Sequence, residues 1–376
     1  MKLTKYLLLG AAALSLAACN KEKEEISQGE KNASVSVRIA SSNLLRLDQN
    51  ESAKVVKLAA MIYNGEAQEA YKEVQNALEV KNIECVAGTR SLVVVANFGD
   101  RVLQGLSLRN LKALTEELQK DVQPVDLLMT SEIKEITLKE GVNKYGYDDP
   151  GDLSQKKPLE LKRVHARAEF VSITQKMSPA FKKYKVDYTA VAALIAKKQS
   201  FVFGSPLVNA HPAYLYGIKT DKGSYTPADY EEAPSLKREY KGTGEDLADK
   251  NMGFYLIENN DGSHPTMLCL AGTLKNQDGS ELSDQEKKDA FAAGWIVSET
   301  DATTYYPVLI NWVNAKYKYE GNHQPMNSIV RNHYYKISLT ITGPGTNKPE
   351  DEKKISNLDV KCKVVEWVTV GQNVTW

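Results

Sequence analysis

The chain has 376 residues, 42% apolar and 26% charged, ordinary proportions for globular protein and enough length for two domains. Lys and Arg balance Asp and Glu at 48 each. The first 46 residues carry seven Lys or Arg against four Glu, so the remainder holds 41 basic and 44 acidic residues, which leaves no electrostatic case for a nucleic-acid partner.

The N-terminus reads as an export signal. Lys2 and Lys5 precede a short apolar run from Tyr6 to Leu16, and Leu16-Ala17-Ala18 places small residues directly before Cys19. That run is too short to cross a ~30 Å hydrocarbon core as a helix. The pattern is that of a lipobox, with residues 1–18 the signal peptide and the Cys19 thiol at the first mature position, free to accept a lipid. A polar tether from Asn20 to Glu25 follows. Ala33, Val35, Val37 and Ile39 then alternate with Ser34, Ser36 and Arg38, the period of a strand with one buried face. Beyond it lie Leu44, Leu45, Arg46 and Leu47. Taken alone, this is a first strand and a loop bearing a surface arginine.

The body reads as mainly β. Val55 to Tyr63 is an apolar strand closed by Asn64-Gly65, and Ser91 to Asn97 is a second. Between them Ala67, Ala70, Tyr71, Val74 and Leu78 fall at helical spacing, which leaves helix and strand both open. Leu111, Leu114 and Leu118 suggest an amphipathic helix, and Leu127 to Leu138 a strand pair. Gly146 to Pro158 is turn-rich and polar and marks a domain boundary, giving residues 47–157 and 158–376 as the two domains.

In the second half, Val164, Ala166, Ala168 and Phe170 alternate with His165, Arg167 and Glu169, which places the latter three on a polar face. Strands follow at Val186 to Ala196 and Phe201 to Val208, and Lys219 to Asp249 reads as loop. Asn259-Asn260-Asp261-Gly262 between two apolar runs signals a hairpin. Ser283 to Glu286 is a capping box whose helix ends at Gly294. Tyr305 to Val313 and Tyr335 to Ile341 are further strands. At the C-terminus Leu358, Val360, Cys362 and Val364 share one parity, which then shifts at Val365, Trp367, Val368 and Val370 before the chain ends in Val374-Thr375-Trp376. Chain ends fray and seldom carry Trp, so this end is expected to pack into something. The recurring short strands suggest two β-sandwiches with a few short helices.

Cys85, Cys269 and Cys362 form an odd set in an exported chain, which argues against a disulfide framework. The histidines at 165, 211, 264, 323 and 333 accompany no nucleophile elbow, metalloprotease helix or phosphate loop. No catalytic residue, metal site or cofactor is expected. Asp148, Asp149 and Asp152 lack the spacing of a calcium loop and read as a solvated turn. Asn32, Asn50 and Asn373 each open a glycosylation tripeptide, a weak signal here. A surface glycan-binding lipoprotein is the alternative from another class, with Tyr214, Tyr216, Tyr305, Tyr306, Tyr334 and Tyr335 as its platform.

Several longer runs carry a resemblance. The Leu-Ala-Ala-Cys-Asn leader, Ile62-Tyr63-Asn64-Gly65, Lys162 to Arg167, Leu194 to Ser200, Arg331-Asn332-His333, Leu339 to Asn347 and the ending Glu366 to Trp376 resemble the fimbrillin family of type V pilins over essentially the full length. The resemblance implies two transthyretin-like β-sandwich domains, export as a lipoprotein and delivery to the outer membrane. It further implies cleavage by an Arg-specific protease of the gingipain type, then polymerisation by strand exchange. Carried over, Cys19 is lipidated, Arg46 is the maturation arginine and Leu47 the first mature residue, with residues 19–46 a propeptide. Arg38 is the rival cleavage site, but it lies within the strand. Ala33, Val35, Val37 and Ile39 are then a temporary strand, and Val365, Trp367, Val368, Val370, Val374 and Trp376 the donor strand that replaces it in another copy. The expected partners are copies of the same chain head to tail, accessory anchor and tip subunits, the protease, and host surface or matrix proteins. The membrane is engaged only through the lipid on Cys19 before maturation.

Overall fold

The computed structural model describes residues 30–40, 55–148, 156–204, 213–218, 230–242, 247, 251–313, 317–351 and 357–366. The fold is mainly β. The first half contains β1 (Ala33–Arg38), β2 (Lys57–Asn64), β3 (Ala67–Gln75), β4 (Glu79–Cys85), β5 (Gly88–Ala96), α1 (Leu108–Lys112), β6 (Thr115–Glu117), β7 (Met129–Thr130), β8 (Lys134–Leu138) and β9 (Gly141–Tyr145). The second contains β10 (Lys162–Arg163), β11 (His165–Gln175), β12 (Tyr184–Leu194), β13 (Ala196–Lys197), β14 (Gln199–Phe201), β15 (Tyr214–Tyr216), β16 (Tyr230–Glu232) and β17 (Lys237–Gly242). It continues through β18 (Gly253–Ile257), β19 (Met267–Asn276), α2 (Asp284–Ala292), β20 (Thr303–Leu309), β21 (Tyr317–Tyr319), β22 (His333–Ile341) and β23 (Leu358–Glu366).

Two sheets enclose the first core: the order β4-β1-β9 faces β10-β7-β5-β2-β3, with β8 added to β5. Leu58, Ala60 and Ile62 of β2 and Leu92 and Val94 of β5 meet Val35 and Val37 of β1 there. The other faces of β2 and β5 are covered as well, Met61, Tyr63, Val93 and Val95 lying under Phe98, Leu103 and Leu111. Burial on both sides explains why β2 and β5 read as unbroken apolar runs. The second core lies between β18-β11-β22-β23-β21 and β17-β12-β19-β20. Helix α2 opens with the expected capping box and ends before Gly294, whose φ is +74°. Cys85, Cys269 and Cys362 are buried free thiols.

Four local expectations are corrected. The ambiguous stretch after Gly65 is strand β3, because a two-residue turn with Gly65 at φ +59° folds it back on β2. Opposite Ile62 and Tyr63, β3 carries one extra residue, Glu69, and this bulge breaks the alternation and produces the helix-like spacing. The helix expected through Leu118 stops at Lys112, because residues 115–117 are captured as β6 by β14 of the other half. The hairpin around Asn259 does not form: β18 pairs with β11 whereas β19 pairs with β12 and β20, so the turn crosses between sheets. The polar stretch within 219–249 holds β16 and β17, the latter a charged edge strand on β12.

The same capture buries the face of β11 expected to meet solvent. His165, Arg167 and Glu169 are 1%, 2% and 1% exposed. Arg101 and Glu116, themselves paired, lie over His165, with the nearest Glu116 oxygen 3.8 Å from its Nε2. Arg167 bonds Glu169 at 3.1 Å, and Tyr334 donates its hydroxyl to the same carboxylate. Gly253 leaves the space: a Cβ there would stand 2.7 Å from the Arg167 guanidinium. The halves are further joined by the β6–β14 ladder, and within the second half Arg331 steadies the chain after β14 by donating to the carbonyls of Val202, Phe201 and Gly204 and to Glu258.

Burial, helped by the positive charges of Arg101 and Arg331, lowers the His165 pKa to about 4. The unfolded chain therefore takes up a proton near pH 6.5 that the folded chain refuses until about pH 4. The His165 contribution is fully present above pH 6.5 and is lost as pH falls, to a limit of about 3 kcal/mol. The urea midpoint of His165→Gln should decline less between pH 7 and 4.5 than that of the unaltered chain. Parallel curves would refute this account.

Candidate assembly interface

Strand β1 is the middle strand of its sheet. It runs antiparallel to β4, with Ala33 opposite Cys85 and Val37 opposite Val80, and parallel to β9, with Ala33 opposite Gly141 and Val37 opposite Tyr145. The pairing continues past the strand end. Ile39 donates its N–H to the Leu78 carbonyl at 3.0 Å, and Ala40 donates to Leu159 at 2.9 Å. Ala33, Val35, Val37 and Ile39 all reach the core, Val35 with no exposed surface. Because β4 and β9 are joined only through β1 within their sheet, β1 holds that layer together from inside.

Side chains outside the ladder fix the strand's position. Asn143, fully buried, donates from Nδ2 to the Ser34 carbonyl at 3.2 Å and to Lys139 O at 2.8 Å, while its Oδ1 accepts from Lys139 N–H at 3.0 Å. Asn32 bridges the strand's entry, accepting from Ala87 N–H at 2.9 Å and donating to Glu140 at 2.9 Å. Opposite Ser36 the β4 chain bulges, and Asn82 there adopts φ +52°. The Asn82 N–H points at Ser36 Oγ, 3.1 Å away. At the exit, Arg38 stacks 4.2 Å over the Tyr147 ring and lies 3.5 Å from Glu79, while its carbonyl accepts from Leu159 N–H at 3.0 Å. Gly146, at φ +82°, permits this approach, since a Cβ would stand 2.7 Å from the Arg38 carbonyl oxygen.

Cys19, Arg46 and Leu47 lie outside the described residues, as do Trp367, Val368, Val370, Val374 and Trp376. Val365 lies in β23, opposite Tyr334 of β22. β23 is flanked by β22 along its length but by β21 only as far as Cys362, so among the described residues its last four have no strand on that side. Asn82 and Asn143 were not singled out from the sequence, Asn32 stood out only as the start of a glycosylation tripeptide, and Gly146 only as the start of the turn-rich stretch. Three asparagines and a glycine in turn-rich surroundings look like loop chemistry until the topology gathers them around one strand.

Two family models match in succession: "Major fimbrial subunit protein (FimA)" over residues 33–163 and "FimA4 pilin C-terminal domain" over residues 165–367. The chain is 47% identical over 387 aligned residues to a major fimbrium subunit FimA type-2 of Porphyromonas gingivalis, and 42% identical over 401 to a type-4 subunit, in both cases covering the whole of each chain. A crystal structure of a fimbrilin (FimA) from P. gingivalis superposes with a TM-score of 0.78 at 39% identity, covering 91% of this chain and 99% of that one. A structure from Parabacteroides distasonis, 20% identical with a TM-score of 0.65 over 89% of this chain and 98% of its own, shares the fold. With relatives matched from end to end and both halves accounted for, the chain belongs to the FimA family of major fimbrial subunits.

Proposed function

We propose that this chain is the structural subunit of a cell-surface fimbrium, exported as a lipoprotein on Cys19, matured by cleavage after Arg46 and polymerised by strand exchange. The supporting observation is the placement of β1. It lies N-terminal to the undescribed stretch 41–54, yet it fills the centre of a sheet whose other strands all come from beyond residue 78. Cleavage between them cuts its covalent link to the rest of the fold. Burying Val35, Val37 and Ile39 is worth roughly 1.5–3 kcal/mol each. Their sum is comparable with the ~5–15 kcal/mol that holds a typical domain folded. A vacated groove with two unpaired edges therefore demands another strand, which β-augmentation by a second copy supplies. The C-terminal segment beyond β23 is the donor in this reading, and a head-to-tail contact that does not close grows into a filament.

Arg38 is a poorer cleavage site than Arg46. Its side chain is half exposed, but its carbonyl is held by Leu159 within the ladder. The glycan-binding alternative loses its platform, because Tyr214, Tyr216, Tyr305, Tyr306, Tyr334 and Tyr335 are all buried. The role is non-enzymatic. The partners are further copies of the chain, accessory anchor and tip subunits, an Arg-specific protease and host surface molecules, with filaments serving adhesion and biofilm formation.

Limited digestion of residues 20–376 with an Arg-specific protease should give a new N-terminus at Leu47 and an SDS-resistant ladder in unboiled samples, while Arg46→Ala stays monomeric. Persistent monomer after clean cleavage at Arg46 would sink self-polymerisation. Truncation after Val364 should permit cleavage but stop growth. Cys85, whose thiol is pushed up to about 11 by burial next to Ala33, provides an optical reading of the groove. It should resist a thiol reagent in the precursor, react once β1 has left, and be protected again in the polymer. Equal reactivity at all three stages would show that β1 never leaves.

A further inference from the structure

Among the described residues three lysine or arginine side chains are buried: Arg163, Arg167 and Lys197. Arg163 hydrogen-bonds to Asn332 and Arg167 to Glu169. Lys197, 5% exposed, makes no hydrogen bond or ion pair with any of the described residues. Its Nζ instead stands 4.7 Å from the centre of the Tyr214 ring. The sheet produces this arrangement, since β13 sets Lys197 opposite Tyr214 of β15, which in turn lies opposite Tyr230 of β16. The acids nearby are already engaged. Asp261, the one carboxylate whose charge acts on the amine, accepts the Tyr214 hydroxyl at 2.5 Å, His264 Nδ1 at 2.9 Å and the Ser263 N–H at 2.9 Å. Glu231 of β16 is held by Lys120 and Lys198, and Glu258 after β18 by Arg331. The His264 ring stacks on Tyr214 at 4.9 Å and, with the bond to Asp261, keeps that ring in place beside the amine.

Burial without a partner disfavours the charged form of an amine, and a ring face offsets only part of that cost. Burial accordingly lowers the Lys197 pKa, against the opposing pull of the Asp261 charge. The amine is not sealed in: Nζ is absent from the buried polar atoms that lack a partner, so its tip keeps contact with solvent. A desolvated, uncharged lysine amine is the form that attacks a carbonyl carbon. We infer that Lys197 is a covalent attachment site for small neutral aldehydes, which it takes up as an imine. The Nζ lone pair adds to the carbonyl carbon, the two amine hydrogens leave with the carbonyl oxygen as water, and a C=N bond remains. No oxidant or reductant is consumed. The surroundings select the class. An opening at the tip alone admits a small molecule, and the Asp261 charge repels anionic carbonyl compounds such as oxo acids. The uncharged imine also removes the positive charge that the site leaves unpaired.

The test is brief treatment of the uncleaved chain, residues 20–376, with acetaldehyde and cyanoborohydride, which reduces an imine to a stable ethylamine. Fragment-resolved peptide mapping then reads the extent of reaction at each lysine. Lys198, next in sequence and held by Glu231 at 3.1 Å, is the internal comparison. At pH 7, Lys197 should be ethylated about 5-fold or more faster than Lys198. The ratio should fall as the pH is raised towards 10, because ordinary lysines, with a pKa of about 10.4, lose their protons there too. In urea, where burial is lost, the two should react alike. A ratio that stays level or rises with pH would mean that the two amines differ in access alone, and would overturn the inference. Failure of Lys197 to react at pH 7, or an excess that persists in urea, would overturn it as well.

Discussion

The structure depends on an unmet backbone requirement in the first sandwich. β4 and β9 each present a row of N–H and C=O groups towards a gap one strand wide, and nothing between residues 55 and 148 fills it. Most buried backbone polar groups in proteins are paired. An edge strand can be missing and leave a sheet merely narrower, whereas a missing middle strand leaves two halves with no bond between them. The first sandwich is thus complete only with a segment that residues 55–148 do not provide. The N-terminal strand is therefore indispensable to that layer.

Other parts of the first half are arranged so that the gap stays well shaped. β2 and β5 are packed on both faces, and Asn143 braces the β8–β9 connection through contacts that do not involve β1. The junction with the second half is built from the β6–β14 ladder and the buried row of His165, Arg167 and Glu169. Buried ionic groups add little net stability, since desolvation offsets attraction. Their geometry is demanding, however, and it fixes one orientation of the halves in preference to a range.

Much of this was legible in the sequence wherever one residue pattern answered to one environment. The alternation of Ala33, Val35, Val37 and Ile39 gave the strand and its buried face, and Ser283 with Glu286 gave the helix α2. Reading failed where a distant segment decided the outcome. His165, Arg167 and Glu169 alternate like a solvent face, and only their cover by residues 101–127 makes them interior. Leu111, Leu114 and Leu118 have helical spacing, but Leu118 belongs to the second core because β14 extends the chain before it arrives. Of the interface, the apolar residues were visible in advance. The asparagines were not, since their role depends on which strand the topology sets beside them. Cys19, Arg46 and the last ten residues lie outside the described part and rest on sequence alone.

The place of β23 in its sheet bears on how a filament carries load. β23 lies between β22 and β21, and the segment following it would lie between β4 and β9 of the next copy. Tension along such a fibre would pass from β23, flanked by β22 along its length and by β21 as far as Cys362, into an interior strand of the next copy. Pulling in that direction shears every ladder bond together, whereas a strand on an edge can be peeled away one bond at a time. The same interior position that makes β1 hard to do without would make each joint of the filament hard to pull apart.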